Sequence, residues 1–551
     1  SDGKLAGNVS FGSGDNRFLL SGDAAAAGSL TFGAGNDTIT TGDTSVFAGT
    51  VDFGGGADVL TIGGTSVFKA QLTNASGLAV SVQKGTFGVV KSASIASLDV
   101  TEGGTLAVML DKTPGASSML NVSGTASFGT GSKLQLNVAD VENAEGHFVV
   151  LDAGTLTGGS NLSANSELLP FLYKGALTIS GNQVAVDISR KSSSELGLNK
   201  SESAAYGAIY EALGADDAIG DSFLAIRNQE DFVDTVRQML PDHAGGTFEA
   251  VTMGDRTLAR MLNDPKSTYK QDGNISYFAA QAAWGSSKSI GDTAGYEIGG
   301  WGATIGAEYE TKLGKFGGAL SYLWGKDKDK GSDNKVNANQ YSIAAHWRLQ
   351  HEGLQVAARA SYSFADFDGK RFFRSDDLAE PIDRQIEGSW NGSLFSLAAN
   401  ASQELWTGSF YIRPTAGLEY YRLNEDSYEE EGGGAALDLT VDDRTSDELA
   451  VNALLVAGFE MGGYRPDDSF FRLELEGGRR QIVGGSLGDT TARFADGEEF
   501  VLEPEDRESG WVGRLRGIGG GFGFRIAGEI GAEEREEKVG LSARASLVLG
   551  L

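Results

Sequence analysis

The 551-residue chain has no cysteine. That excludes disulfides, thiolate metal centres, iron–sulfur clusters and thiol catalysis, and it suits a chain that crosses an oxidising compartment unfolded. Basic residues are scarce: 45 Lys and Arg stand against 75 Asp and Glu, for a formal net charge of -30, so a phosphate-tracking nucleic-acid surface is not expected. Long apolar runs are missing too. No stretch reaches the roughly 18 residues of a transmembrane helix, and the mean hydropathy is -0.18. A membrane strand escapes that test, because its apolar residues alternate with polar ones. Tryptophan is absent from residues 1–190, whereas all seven Trp and eleven of the fifteen Tyr lie beyond residue 274. The two ends of the chain are therefore expected to meet different solvents. The chain begins at Ser1 rather than Met, which reads as a processed or trimmed product whose export signal lies outside it.

What is present begins with a repeat. FGSGDN at Phe11, FGAGND at Phe32 and FGGGAD at Phe53 recur every 21 residues, and FGTG returns at Phe128. One Phe, one Gly-rich corner and one Asn or Asp per period, with short β-rich runs between, suit a β-solenoid whose stacked rungs share a core. Phe should stack inward, and Gly should serve corners that need positive φ. Residues 1–190 then make roughly nine rungs of a three-sided coil, a stalk on the order of 40 Å at ~4.8 Å per rung.

From Ser201 to Asn263 the period becomes helical. Tyr206, Ile209, Tyr210 and Leu213 share a face, as do Phe232, Val236 and Met239 before Pro241. Phe248, Val251, Leu258 and Leu262 mark a third helix, backed by Ala250, Gly254 and Thr257, that reads as slim and weakly amphipathic.

Beyond residue 274 the period is two, in about twelve segments of about ten residues, an even number as a closed barrel requires. Leu354, Val356, Ala358, Ala360, Tyr362 and Phe364 alternate with Gln355, Ala357, Arg359, Ser361 and Ser363. Likewise Phe410, Ile412, Pro414, Ala416, Leu418 and Tyr420 alternate with Tyr411, Arg413, Thr415, Gly417, Glu419 and Tyr421. Short links are expected at Lys312–Lys315, His351–Gly353, Thr407–Gly408, Gly463–Asp468 and Gly519–Gly521. Long charged loops are expected near Lys326–Lys335, Asp366–Glu387, Asn424–Asp447 and Gly484–Glu508. Short inner turns with long outer loops are the outer-membrane arrangement. The polar faces should line the lumen: Arg359, Arg413, Arg472, Arg514, Arg516, Arg525 and Arg544, with Glu419, Glu460, Glu474, Glu476, Glu529 and Glu533. Paired, they solvate a narrow bore; unpaired, they keep it wet for an extended chain and later hold a helix.

Three stretches carry a resemblance to the type V autotransporter family. They are Gln238-Met-Leu-Pro-Asp-His-Ala-Gly-Gly-Thr-Phe, Gly510-Trp-Val-Gly-Arg-Leu, and the final strand from Lys538 to Leu551. The resemblance implies an all-β chain in three parts: a right-handed parallel β-helix over 1–200, a helical linker with a barrel-plugging helix over 201–273, and a twelve-stranded antiparallel transmembrane barrel over 274–551. It implies export and display of the chain's own N-terminal passenger from the bacterial outer membrane. It also implies a monomer that meets membrane lipid, periplasmic chaperones and a barrel-assembly machinery. The last strand resembles the signal that such a machinery reads, through Lys538, Gly540, Leu549 and Leu551, the last standing where the family usually ends in Phe or Trp.

Other motifs weigh less. Gly33–Asp37 resembles a calcium-binding nonapeptide, but calcium turns recur about every nine residues, so Asp15, Asp37 and Asp58 read first as structural corners. Gly484-Gly-Ser486-Leu-Gly fits GxSxG, and Gly220-Asp-Ser222-Phe resembles a lipase block. Ser486 falls in a loop between strands, Asp221 or Ser222 reads as a helix N-cap, and only His147, His243, His346 and His351 could serve either. No enzyme, cofactor or bound metal is expected. The competing readings are an open outer-membrane pore and a calcium-binding surface adhesin or toxin.

Overall fold

The computed structural model describes residues 3–101, 103–110, 119–164, 169–266, 273–376, 380–465, 467–495, 497–535 and 538–551. They divide into two compact units, one of residues 1–197, 213–233 and 376–381, the other of 198–212, 234–375 and 382–551.

The first unit is a parallel solenoid. Its rungs alternate between a longer strand, such as Ala25–Thr31, Val46–Asp52 and Val67–Thr73, and a shorter one, such as Arg17–Leu20, Thr38–Thr41 and Val59–Ile62. Each set hydrogen-bonds into its own sheet. The expected three-sided coil is thus replaced by two sheets. Its third edge survives as a bend inside the longer strand, at Gly7, Gly28 and Gly49 (φ 140°, 131° and 157°). The sheet built of the longer strands stacks eight of them along its path among the described residues, one fewer than nine rungs. The period of 21 holds early and then drifts, to 18 between Leu98 and Val80 and to 28 between Ser127 and Asp99. Inward phenylalanines stack between rungs, Phe11 on Phe32 at 4.6 Å and Phe47 on Phe68 at 4.8 Å. The antiparallel hairpin Tyr173–Ser180 and Gln183–Arg190 pairs onto Gly146–Thr157 and covers the end of the shorter sheet.

The repeated Gly-x-Gly answers to close approach as well as to positive φ. A Cβ on Gly33 would sit 2.4 Å from the Gly12 carbonyl oxygen, and one on Gly35 would sit 2.4 Å from that of Gly14. Beside them runs a carboxylate and amide ladder. Asp37 Oδ1 accepts from the Asn16 backbone N–H at 2.7 Å, Asp58 Oδ1 from that of Asp37 at 2.8 Å, and Asp15 Oδ1 from that of Asn36 at 2.7 Å. These side chains serve as rung-to-rung acceptors. Among the described residues no group of three or more His, Cys, Asp or Glu is placed to hold a metal.

The second unit is a closed barrel of twelve antiparallel strands: Ile275–Lys288, Gly295–Thr311, Gly314–Lys330, Lys335–His351, Leu354–Ser375, Ile382–Gln403, Phe410–Glu425, Arg444–Gly462, Phe470–Gly484, Gly510–Gly521, Phe524–Arg535 and Lys538–Gly550. The last pairs with the first, from Ser276↔Gly550 to Gly285↔Leu541, so no edge is left open. Three expected boundaries move. Lys326–Lys335 shrinks to the turn Gly331–Asn334, because the third strand runs to Lys330 and the fourth begins at Lys335. Asp366–Glu387 is largely strand, because the fifth and sixth strands run on as a hairpin to Ser375 and from Ile382, burying Phe367, Phe373 and Ile386. Gly519–Gly521 also belongs to a strand, and the turn is Phe522–Gly523. On the long-loop side Tyr428–Glu431, Leu439–Val441, Thr490–Phe494 and Phe500–Leu502 form a small antiparallel sheet. The helix Lys200–Ala212 packs on it through Phe500–Leu502, and Lys200 Nζ lies 2.6 Å from Glu503.

Candidate functional site

Strand alternation sets the barrel's two environments. Phe410, Ile412 and Leu418 are 61%, 48% and 47% exposed on the outer wall, while Tyr411 and Arg413 are buried within. A two-residue period cannot be shifted by one without exchanging those faces.

The lumen holds a helix, Gly246–Ala259, continued by a tight turn to Asn263, and every residue from Gly246 to Leu258 is buried. It packs against the first four strands and the last. Gly254 allows the approach: a Cβ there would lie 2.5 Å from the Trp284 ring and 2.7 Å from Leu323. Met253 and Leu258 join Phe278 and Trp284 in one apolar cluster, and Phe248 and Val251 join Phe367, Trp390 and Tyr421 in another.

The weakly amphipathic pattern left no polar face for solvent, because the charged residues of the helix are buried as well and each meets the wall. Asp255 accepts two hydrogen bonds from Arg359, both 2.8 Å, and one from Ser396 at 2.8 Å. Arg260 Nε donates to Glu529 at 2.7 Å, and Arg256 lies 3.4 Å from Glu533. Asp264 accepts from Arg544 at 2.6 and 2.8 Å. Glu249 pairs with Arg507, which also lies 2.8 Å from Glu448. Burial of a charge costs several kcal/mol unless partners replace water, and here acids and bases of helix and wall alternate so that each finds one.

Wall-to-wall pairs continue the network. Arg413 reaches Glu474 at 2.8 Å and Glu404 at 3.2 Å, Arg472 reaches Glu404 at 2.7 Å and pairs with Glu460, and Arg516 reaches Glu474 at 2.9 Å and Glu529 at 2.8 Å. Arg514 pairs with Glu476, and Glu419 accepts from Arg480 at 2.9 Å. Arg525 is buried on the same face. Glu404, Glu448, Arg480 and Arg507 were missed by alternation; Glu404 and Arg507 lie outside the strands, and Glu448 and Arg480 lie four residues inside strand ends that border the expected loops. The five charged helix residues were missed because their partners are distant in sequence. Toward the short turns the bore opens into a cavity of about 570 Å³, lined by Arg256, Asp264, Arg413, Arg516 and Glu419 among others.

In the last strand Gly540 faces inward and is closely packed: a Cβ there would lie 3.1 Å from Ser286 Oγ and 3.3 Å from the Met253 methyl of the helix. Lys538 opens that strand and pairs in register with Arg535. Leu549 and Leu551 are exposed, and the Leu551 N–H donates to the Ile275 carbonyl at 2.8 Å.

Neither serine motif is paired with a histidine among the hydrogen bonds of the described residues. Ser222 lies inside the helix Asp217–Ala225, capped by Asp216 instead of Asp221 or Ser222, and its Oγ donates to the Ile219 carbonyl at 2.7 Å. Ser486 takes its backbone N–H to Asp447 at 3.1 Å. The histidines are engaged elsewhere: His147 with Asp187, His243 with the Pro241 carbonyl, His346 with Glu308 and His351 beside Glu352.

Residues 277–516 match the family model described as the autotransporter beta-domain. The barrel is an autotransporter β-domain. It accordingly lies in the bacterial outer membrane and is a translocator barrel. Similar solved structures include the translocator domain of the autotransporter NalP from Neisseria meningitidis, 16% identical, with a TM-score of 0.42 over 56% of this chain and 98% of that one. The transport unit of the autotransporter AIDA-I from Escherichia coli is 14% identical, with a TM-score of 0.36 over 56% of this chain and all of the other. The beta domain of the Bordetella autotransporter Brka is 12% identical, with a TM-score of 0.35 over 50% and 99%. No curated protein matches the chain.

Proposed function

We propose that the autotransporter barrel exports its own solenoid and displays it at the cell surface, and that Gly246–Ala259 closes the bore once export ends. The solenoid is the passenger, the helices up to Asn263 are linker and plug, and the barrel from Ile275 is the translocator. The observation that carries this reading is the match between the charges of the buried helix and those of the wall: Asp255 with Arg359, Arg260 with Glu529, Arg256 with Glu533, Asp264 with Arg544. In this reading the same lumen groups hydrate an extended chain in transit and bind the helix afterwards. The protein acts as a non-enzymatic monomer. Lys538, Gly540, Leu549 and Leu551 present the last strand to a barrel-assembly machinery, and chaperones carry the chain through the periplasm.

Planar-bilayer conductance tests the plug. The full chain should give small, sporadic currents, and a variant lacking residues 246–264 should give larger, steadier ones. Large steady currents from the full chain would make the barrel an open pore instead.

A further inference from the structure

Three lysines stand side by side on the outer wall of the barrel, where the third, fourth and fifth strands run past the aromatic belt. Lys328 pairs directly with Lys335, and Lys335 with Lys370. Like charges directly opposed on neighbouring strands are destabilising, and the chain's net charge of -30 makes such a row stand out. The alternation places all three outside: Leu323 and Asp327, Val336 and Ala338, and Phe367 and Arg371 are buried on the lumen face of the same strands. Below them, on the outer face, lie Trp324, Tyr341 and Phe364, with Trp324 directly paired to Trp301. Four residues separate Trp324 from Lys328, and six separate Tyr341 from Lys335 and Phe364 from Lys370, roughly 13 and 20 Å along the strands. The row therefore sits where the headgroups of the outer leaflet meet the wall.

The row's own partners leave its centre unneutralised. Lys370 lies 2.6 Å from Glu387, and Lys328 lies 3.7 Å from Asp333, which also pairs with Arg374. Lys335 meets only the Phe372 ring, 5.5 Å away, and among the described residues no carboxylate comes within 4.0 Å of its ammonium. Glu297 faces Lys328 in register, and Asp368 stands beside Asn337 and Lys326 one step nearer the membrane. None of them reaches Lys335.

We propose that Lys328, Lys335 and Lys370 form a binding surface for the phosphate group of an outer-leaflet lipid. Its anionic oxygens would take up the three ammonium groups while its acyl chains lie against the aromatic belt. The site rests on the wall and the membrane, so it is independent of whether the plug helix moves.

The test uses the full chain in mixed micelles containing equal amounts of phosphatidic acid and phosphatidylcholine, with bound lipid counted by native mass spectrometry. The intact chain should retain phosphatidic acid in preference. K335Q should lower that retention about fivefold and K328Q/K335Q/K370Q on the order of a hundredfold, at about 1 kcal/mol per lysine near a charged surface. K312Q, in a turn at the opposite end, should leave it unchanged. Folding of each variant is checked by its migration before and after heating. Equal retention of the two lipids by the intact chain would overturn the proposal, and so would undiminished retention by the triple variant. Displacement by inorganic phosphate at millimolar concentration would assign the row to a free anion and overturn the lipid assignment.

Discussion

Removing one carboxylate from the plug helix should open the barrel. Asp255 receives three hydrogen bonds, two from Arg359 and one from Ser396, all 2.8 Å. Asp255→Ala leaves the Arg359 guanidinium buried with one contact of 3.4 Å to Ser396. Deleting one partner of a buried ion pair costs about 3–5 kcal/mol. That cost falls on the docked helix alone, since a released helix and an emptied wall are both wet. The ratio of docked to released helix then drops by about two to three and a half orders of magnitude, at 1.4 kcal/mol per tenfold. In planar bilayers the variant should spend at least about a hundredfold more time conducting than the intact chain. Arg359→Ala should act in the same direction, and the double variant should recover much of the closed time because neither charge is then stranded. Unchanged currents in Asp255→Ala, or a double variant equal to the sum of the two singles, would refute the reasoning.

Three other outcomes follow from the same coordinates. Leu418→Arg places a cation against lipid and should weaken the barrel by about 2–4 kcal/mol near the midplane, whereas Arg413→Leu leaves Glu474 with Arg516 and Glu404 with Arg472 and should be milder; urea unfolding in detergent or lipid compares them, and the reverse ranking would move the register by one residue. Asp58 is buried, and burial together with the neighbouring Asp37 raises its carboxyl above the ordinary range; its contribution is therefore full in acid and is lost as pH rises through the raised value. Asp58→Asn keeps an acceptor for the Asp37 N–H, so it should raise the solenoid's melting temperature at pH 7 but not at pH 3, as read by proteolysis of the full chain at graded temperatures; no gain at pH 7 would contradict this. Phe68→Ala empties a fully buried stacking position and should cost the solenoid about 3–5 kcal/mol by the same assay, while an effect under about 1 kcal/mol would show that the rungs close over the gap.

The barrel was legible because the two solvents impose a period of two on every wall residue, and the faces of Leu354–Phe364 and Phe410–Tyr421 are where the alternation puts them. Its upper hairpin was not, since polar outward residues such as Asp366, Asp368 and Lys370 resemble a loop until the buried Phe367, Arg371 and Phe373 are read between them. The period of 21 announced the rungs and the inward phenylalanines but not the number of faces, because a bend at one glycine and a true corner look alike in sequence. The plug helix was visible through Phe248, Val251 and Leu258. Its anchoring was not, because Asp255 and Arg359 are 104 residues apart and no local spacing joins them. The N-cap expected at Asp221 or Ser222 was misplaced for the opposite reason: the helix begins earlier, capped by Asp216, and Gly-Asp-Ser-Phe is a local pattern inside it.

Surface display is the central claim, and the absence of cysteine makes it directly measurable. Single cysteines placed at exposed Ser13 of the solenoid and exposed Lys312 of a short barrel turn can be treated, on intact cells, with a maleimide that does not cross membranes. The account predicts that Ser13→Cys labels fully and that Lys312→Cys labels only after the outer membrane is permeabilised. Labelling of Lys312→Cys on intact cells, with Ser13→Cys protected, would contradict it.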